Sequence, residues 1–146
     1  MYFEAHHIWT AHVGDSRAVL SRRGEVIPLT EDHKPTIPEE RTRIEEAGGR
    51  IDWFGAMDRF GKPIPGSGVY RVNENLAMTR AIGDRLEKPS ITAQPTVQKL
   101  DRDIAGDQFI VIGSDGLWDV MTNQKVVDFV HAQLVHGIQT NQMVKV

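Results

Sequence analysis

The chain has 146 residues, of which 40% are hydrophobic and 25% charged, and its formal net charge is −3. These values are typical of one globular domain with a core, and the small acidic excess gives no reason to expect nucleic-acid binding. No cysteine is present, which excludes disulfides, thiolate zinc sites and cysteine nucleophiles. The apolar runs are too short to span a membrane, and residues 1–7 lack the pattern of a signal peptide. We therefore expect an intracellular protein, cytoplasmic or nuclear.

The first part of the chain predicts a small antiparallel sheet. Short apolar runs alternate with glycine-containing turns, which is typical of a β-meander with short loops. The strands are predicted at residues 8–13, 17–21 and 25–29. A helix is predicted next, at residues 38–47, since Pro38 suits a first helical position and two glycines follow the last turn. The acidic residues Glu39 and Glu40 suit the positive end of its dipole.

The middle of the chain predicts little regular structure. Residues 54–68 hold four glycines and two prolines in fifteen positions, so we expect a long irregular loop of the kind that is usually functional or mobile. The predicted strands around it and beyond it are residues 51–53, 69–72, 76–78, 96–100 and 108–112. A final helix is predicted from Thr122 or Asn123 to about Val135. Because strands outnumber helices and most connections resemble hairpins, the predicted class is α+β.

Two aspartates follow the last predicted strand, in the sequence IVIGSDGLWDV at residues 110–120. An apolar run ends there in an Asp-Gly turn, so Asp115 and Asp119 are expected at the rim of a sheet. Carboxylates held close together repel unless a hard divalent cation such as Mg²⁺ or Mn²⁺ neutralises them. The alternative is local: Asp115 forms an Asx turn and Asp119 caps the turn that follows.

Four more segments accompany this motif, in a fixed order. They are VGDSRAVL at residues 13–20, LTEDHKP at 29–35, RIEEAGG at 43–49 and NLAMTRAIGD at 75–84. In order and spacing the five segments resemble the metal-dependent protein serine/threonine phosphatases of type 2C, with plant-like members nearest. The resemblance runs from about Ile8 to Leu134. It implies two antiparallel sheets packed face to face and flanked by helices, part of an α-β-β-α sandwich.

The resemblance also implies a chemistry and a set of site residues. Members hydrolyse phosphoserine or phosphothreonine in phosphoproteins with a water that bridges two metal ions, Mg²⁺ or Mn²⁺, without a phosphoenzyme. Asp115 matches a metal ligand of the family, and Asp119 and Asp15 match residues near an additional, weaker metal. For Asp15, a turn residue that accepts local hydrogen bonds remains the alternative. Asp32 and His33 are interpreted as turn residues rather than as a general base.

Two further residues are candidates close to the substrate. Arg80 could lie near phosphate, but we favour a structural role as a fork that pairs with a carboxylate, such as Asp84 or one near the metal site. Trp53 begins the glycine-rich segment, which in the family forms a flap that influences substrate choice and, in plant members, contacts regulators. The alternative for Trp53 is a place in the core.

Several family elements do not occur in these residues. Members carry an Asp-Gly-His-Gly-Gly element ahead of the segment at residues 13–20, and an Asp-Asn pair near their end. Residues 140–146 only faintly echo that pair, with Thr140 where aspartate is needed. We therefore expect residues 1–146 to be the C-terminal part of a catalytic domain, lacking both metal-binding segments and inactive alone. The alternatives are a non-catalytic pseudophosphatase that binds partners and a simple divalent-cation-binding protein.

Overall fold

The computed structural model describes residues 1–137. The chain forms two compact units, one from Met1–Ala11, Ser16–Glu31 and the chain from Val97 onward, the other from His12–Asp15 and Asp32–Thr96. Within residues 1–137, no helix has both the length and the apolar character needed to cross a membrane. The strands are β1 (Tyr2–Phe3), β2 (His7–His12), β3 (Arg17–Arg22), β4 (Glu25–Pro28), β5 (Ile51–Met57), β6 (Pro63–Val72), β7 (Thr96–Asp101) and β8 (Asp107–Gly113). The helices are α1 (Pro38–Glu46), α2 (Asp115–Trp118) and α3 (Asn123–Val135), with a 3-10 turn at Arg85–Glu87.

The first unit is built on two three-stranded sheets, with strand orders β1-β2-β7 and β4-β3-β8. Their facing sides form one apolar cluster, to which β2 gives Ile8, β3 gives Ala18 and Leu20, and β8 gives Ile110. The pairs β1–β2, β3–β4 and β3–β8 are antiparallel. Because side chains alternate across a strand, β3 also presents Val19 to the opposite side. The α+β class is confirmed, with two sheets packed face to face.

Helices α2 and α3 cover the outer side of the second sheet. Val19 packs there against Trp118, Val126 and Val127, all of them buried. Thr122 caps α3 by accepting a hydrogen bond from the backbone N–H of Lys125 at 3.3 Å. The predicted start and end of this helix are confirmed; Val126 and Val127 are buried, whereas Leu134 near its end is exposed. Residues 138–146, which include the predicted Thr140 position, lie outside the described residues.

The prediction that β2 and β3 form a hairpin is wrong, because they belong to different sheets. The segment between them is bound elsewhere: the N–H of Gly14 donates to Nδ1 of His33 at 3.1 Å, and the N–H of His33 donates to the carbonyl of Gly14 at 3.0 Å. Gly14 has a φ of +99°, which an L side chain rarely adopts. The chain therefore turns out of the plane of the first sheet, and β2 and β3 meet through their faces, Ile8 against Leu20.

The second unit consists of α1 packed on a long β5–β6 hairpin. Ile44 of α1 and Val72 of β6 are fully buried, and Ala81 and Ile91 from the following segment complete the cluster. Pro38 stands at the start of α1 as predicted, and the helix ends at Glu46. A turn follows β6 at residues 73–75, with positive φ at Asn73 and Glu74.

The expected irregular loop at residues 54–68 is wrong, because this segment is the outer half of the hairpin. Strands β5 and β6 pair in antiparallel register from Ile51↔Val72 to Met57↔Pro63, with a shift near Gly55. Asp58 closes the turn: its Oδ1 accepts hydrogen bonds from the N–H groups of Phe60 and Lys62, each at 2.8 Å. The predicted strand at residues 76–78 is reduced to a single bridge between Val72 and Leu76.

Candidate functional site

Asp115 begins the short helix α2 directly after β8, and Asp119 caps its C-terminal end, one helical turn further on. The N–H of Asp119 donates to the backbone carbonyl of Asp115 at 2.8 Å. Both side chains are exposed, and Oδ1 of Asp115 accepts a hydrogen bond from the N–H of Gly116 at 2.8 Å. Trp118, between them, is buried, and its Nε1–H donates to the carbonyl of Gly113 at 2.7 Å. The hydrogen bond of the buried Trp118 indole thus fixes α2 to the end of β8. The side chains of Asp115 and Asp119 remain exposed to solvent.

Asp15 belongs to the second unit, where it is engaged in an ion pair. Its Oδ2 contacts Nζ of Lys34, and its side chain is only 14% exposed. The Asp15–Lys34 ion pair therefore connects the segment around Asp15 to the segment before α1. The hydrogen bonds between Gly14 and His33 connect the same two segments. The contact that the structure shows for Asp15 is thus with a lysine distant in sequence, and not the local backbone contact of the turn interpretation.

Arg80 is held by the buried carboxylate of Glu40, which the sequence analysis did not name as its partner. Glu40 of α1 is 4% exposed, and its Oε1 accepts from Nε of Arg80 at 2.9 Å and from Nη2 of the same guanidinium. Oε2 accepts from the hydroxyl of Thr79 at 2.6 Å and from Nη2 of Arg43 at 3.0 Å. The suggested pairing of Arg80 with Asp84 is therefore wrong, while its description as a structural fork is right. Arg80 also donates to the carbonyl of Gln94 at 3.1 Å.

The electrostatics of this network follow from its geometry. Burial alone would raise the pKa of Glu40, but hydrogen bonds from Arg80, Thr79 and Arg43 more than offset it and lower the pKa to about 2. Glu40 is therefore ionised throughout the physiological range, and it fixes α1 to the segment that carries Arg80.

His33 is a buried structural residue rather than a turn residue. It is 4% exposed, and its ring stacks on that of His12 with centroids 4.3 Å apart. Because Nδ1 accepts from Gly14, the proton of the neutral ring lies on Nε2, which is 2.9 Å from the hydroxyl of Thr96. Burial, together with the positive charge of Arg80 and the neighbouring His12, lowers the pKa of His33 to about 4.

The five candidate residues from the sequence are divided between the two units. Asp115 and Asp119 lie in the first, and Asp15, Trp53 and Arg80 in the second. Among residues 1–137, no group of three or more histidine, aspartate or glutamate side chains is arranged to hold a metal ion. The described residues therefore do not by themselves fit the two-metal centre that the family resemblance implies.

Trp53 is half-buried in the middle of β5 rather than in the core. It lies directly opposite Tyr70 of β6, with ring centroids 4.9 Å apart and planes at 58°. Its Nε1–H donates to the carbonyl of Ala56 at 3.0 Å, which folds the indole back over Gly55. A Cβ added at Gly55 would lie 2.7 Å from this ring, so glycine is needed for the tryptophan to lie there.

A substitution at Gly68 tests the close approach of the two strands. Gly68 pairs with Gly55, and a Cβ at Gly68 would lie 2.0 Å from the backbone oxygen of Phe54. Since backbone must move, Gly68→Ala should lower the free energy of unfolding by about 1–3 kcal/mol in urea titrations. Gly116→Ala is the control, because its Cβ would meet nothing nearer than 3.6 Å. Equal midpoints for the two variants would contradict this account of the hairpin.

Comparison with known proteins agrees with this arrangement of elements. The chain matches the family model described as protein phosphatase 2C over residues 1–144. It is 44% identical over 133 residues to the probable protein phosphatase 2C 7 of Oryza sativa subsp. japonica, covering 90% of this chain and 31% of the rice protein. It is 48% identical over 118 residues to protein phosphatase 2C 3 of Arabidopsis thaliana, covering 80% of this chain and 23% of that protein.

A solved phosphatase structure has a similar fold. A phosphatase from a pathogenic strain of Toxoplasma gondii superimposes with a TM-score of 0.73 at 28% identity, covering 94% of this chain and 40% of that one. The chain spans less than a third of the length of these two plant relatives. Since the family model matches nearly all of the 146 residues, the chain belongs to the protein phosphatase 2C family.

Proposed function

We propose that residues 1–146 form the C-terminal part of the catalytic domain of a metal-dependent protein serine/threonine phosphatase. The observation that carries this proposal is the family match over residues 1–144, together with the Ser-Asp-Gly segment that β8 and α2 present at the end of the second sheet. Its substrates would be phosphoproteins, and its ions Mg²⁺ or Mn²⁺, which prefer carboxylate oxygens.

In this proposal Asp115 and Asp119 contribute carboxylates to a centre that needs ligands from outside the described residues. Two exposed aspartates one turn apart are a partial site. To act as a metal ligand, Asp15 would first have to leave Lys34, since that ammonium group contacts its carboxylate. Arg80 acts as a positioning residue, because Glu40, Gln94 and Thr96 already take its donors. Trp53 belongs to the β5–β6 hairpin, which corresponds to the flap of the family.

A chimera tests this proposal. The matched segment of Arabidopsis protein phosphatase 2C 3 is replaced by this chain, and hydrolysis of an aryl phosphate is measured in Mn²⁺. We expect turnover by the chimera and none by the 146-residue chain alone. Asp115→Asn should lower kcat of the chimera at least tenfold, equivalent to about 1.4 kcal/mol. Asp128→Asn is the matched control, since Asp128 is exposed on α3 and its Oδ1 only accepts from Gln124.

The outcomes separate the proposal from its main alternative. An inactive chimera from an active parent would favour a pseudophosphatase, a role that the Asp15–Lys34 pair also favours. Metal-dependent turnover by the 146-residue chain alone would instead show that its own residues complete the centre. Equal loss in the Asp115→Asn and Asp128→Asn chimeras would remove Asp115 from the site.

A further inference from the structure

The outer end of the β5–β6 hairpin carries apolar side chains that the proposed chemistry does not use. Phe60 in the turn is 73% exposed, Met57 is 53% exposed and Ile64 is 40% exposed. Two basic residues, Arg59 and Lys62, lie between them in the chain. We propose that this hairpin tip, residues 57–64, inserts into the interface of a membrane that contains anionic lipids.

The charge around the tip is opposite in sign to that of the whole chain. Residues 53–73 contain three basic residues, Arg59, Lys62 and Arg71, and one acidic residue, Asp58, whereas the chain has a net charge of −3. Among residues 1–137, neither Arg59 nor Lys62 is paired with an acidic side chain. Because anionic headgroups attract exposed lysine and arginine side chains, the tip is the part of the chain that such a surface attracts, while the acidic remainder is repelled.

The turn at the tip can leave water with few unpaired backbone groups. Oδ1 of Asp58 accepts hydrogen bonds from the N–H groups of Phe60 and Lys62, each at 2.8 Å. The N–H of Gly61 donates to the carbonyl of Asp58 at 3.0 Å, and the N–H of Asp58 donates to the carbonyl of Lys62 at 2.8 Å. Since an unpaired polar group is costly at an apolar boundary, this internal bonding lowers the cost of insertion.

The length of the tip matches the depth of a membrane interface. Met57 ends β5 and Ile64 is the second residue of β6, so Phe60 lies about three residues, or about 10 Å, beyond them. Interfacial segments bury their apolar side chains by about 5–10 Å. Phe60 therefore enters deepest, and the long aliphatic stems of Arg59 and Lys62 let their charges stay among the headgroups.

Sedimentation with sucrose-loaded vesicles tests the proposal. The 146-residue chain is mixed with vesicles of phosphatidylcholine, either alone or with about 30% phosphatidylserine. We expect saturable binding to the phosphatidylserine vesicles at about 1 mM lipid, weaker than that of a myristoyl chain. Binding should be lost in about 0.5 M salt, which screens the charges. Equal binding to both kinds of vesicle overturns the proposal, and no binding up to about 5 mM lipid overturns it in favour of a protein partner for the tip.

Variants with matched controls locate the binding surface. Phe60→Ser should weaken binding at least tenfold, and Arg59→Gln with Lys62→Gln should weaken it about 25-fold, from about fivefold for each cation. Leu86→Ser and Arg85→Gln are the controls, since both residues are exposed outside the hairpin, Leu86 by 97%. Unchanged circular dichroism shows that all variants are folded. If the tip variants bind like the unmodified chain, or the controls weaken binding equally, another surface binds the vesicles and the proposal is overturned.

Discussion

Replacing Glu40 with alanine should lower the free energy of unfolding by about 3–5 kcal/mol, because it removes the carboxylate that pairs with the guanidinium groups of Arg80 and Arg43. Glu40 is 4% exposed and accepts hydrogen bonds from Arg80, Arg43 and Thr79. Thr79 is fully buried, so its hydroxyl also loses its partner. Glu40→Gln retains an acceptor and should cost less, about 1.5–3 kcal/mol, the usual worth of hydrogen bonds to charged groups.

Urea unfolding followed by circular dichroism measures these changes, and Glu39→Gln provides the control. Glu39 is the adjacent residue of the same helix, and it is exposed, so its substitution should change stability by less than about 0.5 kcal/mol. If the Glu39 and Glu40 variants unfold at the same urea concentration, the network does not stabilise the second unit. Amide hydrogen exchange in α1 should increase in the Glu40 variants alone.

The pH dependence has a definite sign. The pKa of Glu40 is lowered from 4.5 to about 2 in the folded state, so its contribution is complete above pH 4.5 and disappears as the pH falls towards 2. At about 1.4 kcal/mol for each pH unit, the loss is about 3 kcal/mol. Glu40→Gln should flatten the stability curve in this window.

The elements that the sequence predicted well are those whose signals are local. The final helix has a threonine cap, buried valines four and five residues further on, and a glycine after its end, and all three are present in the structure. The strand that precedes Asp115 is an unbroken apolar run, and the structure has β8 there. Neither assignment depends on knowing which element packs against the other.

The failures concern features that depend on contacts distant in sequence. The glycines and prolines of the outer hairpin disfavour strands, so the sequence predicts a loop there. Glycine is tolerated there because Gly55 and Gly68 face each other and Trp53 covers the gap. The assignment of β2 and β3 to different sheets likewise depends on His33, nineteen residues beyond Gly14.

One missed site residue did leave a signal. Glu40 lies four residues before Ile44, so on a helix the two share a face, and both are buried. A glutamate on the apolar face of a helix indicates a buried cationic partner. Its partner could not be named from sequence alone, because the chain has seventeen lysines and arginines and only the fold selects Arg80 and Arg43.

His33 should make the chain lose stability in a second, higher pH window. In the folded state its pKa is lowered to about 4 from 6.5, first by burial and then by Arg80 and His12. Because the folded state favours the neutral ring of His33, this residue stabilises the fold fully above pH 6.5. That stabilisation is lost as the pH falls towards 4. The expected loss is about 3 kcal/mol. Protonation also breaks the hydrogen bond that Nδ1 accepts from Gly14.

Urea midpoints measured between pH 7 and pH 4 test this expectation. The chain should unfold at steadily lower urea as the pH falls, and His33→Gln should abolish most of that slope whatever its stability at pH 7. His131→Gln is the control, because His131 is exposed on α3 and its loss should leave the slope unchanged. Since Glu40 acts below pH 4.5 and His33 above pH 4, Glu40→Gln should retain the His33 slope. If both histidine variants keep the slope of the unmodified chain, His33 does not couple proton uptake to unfolding.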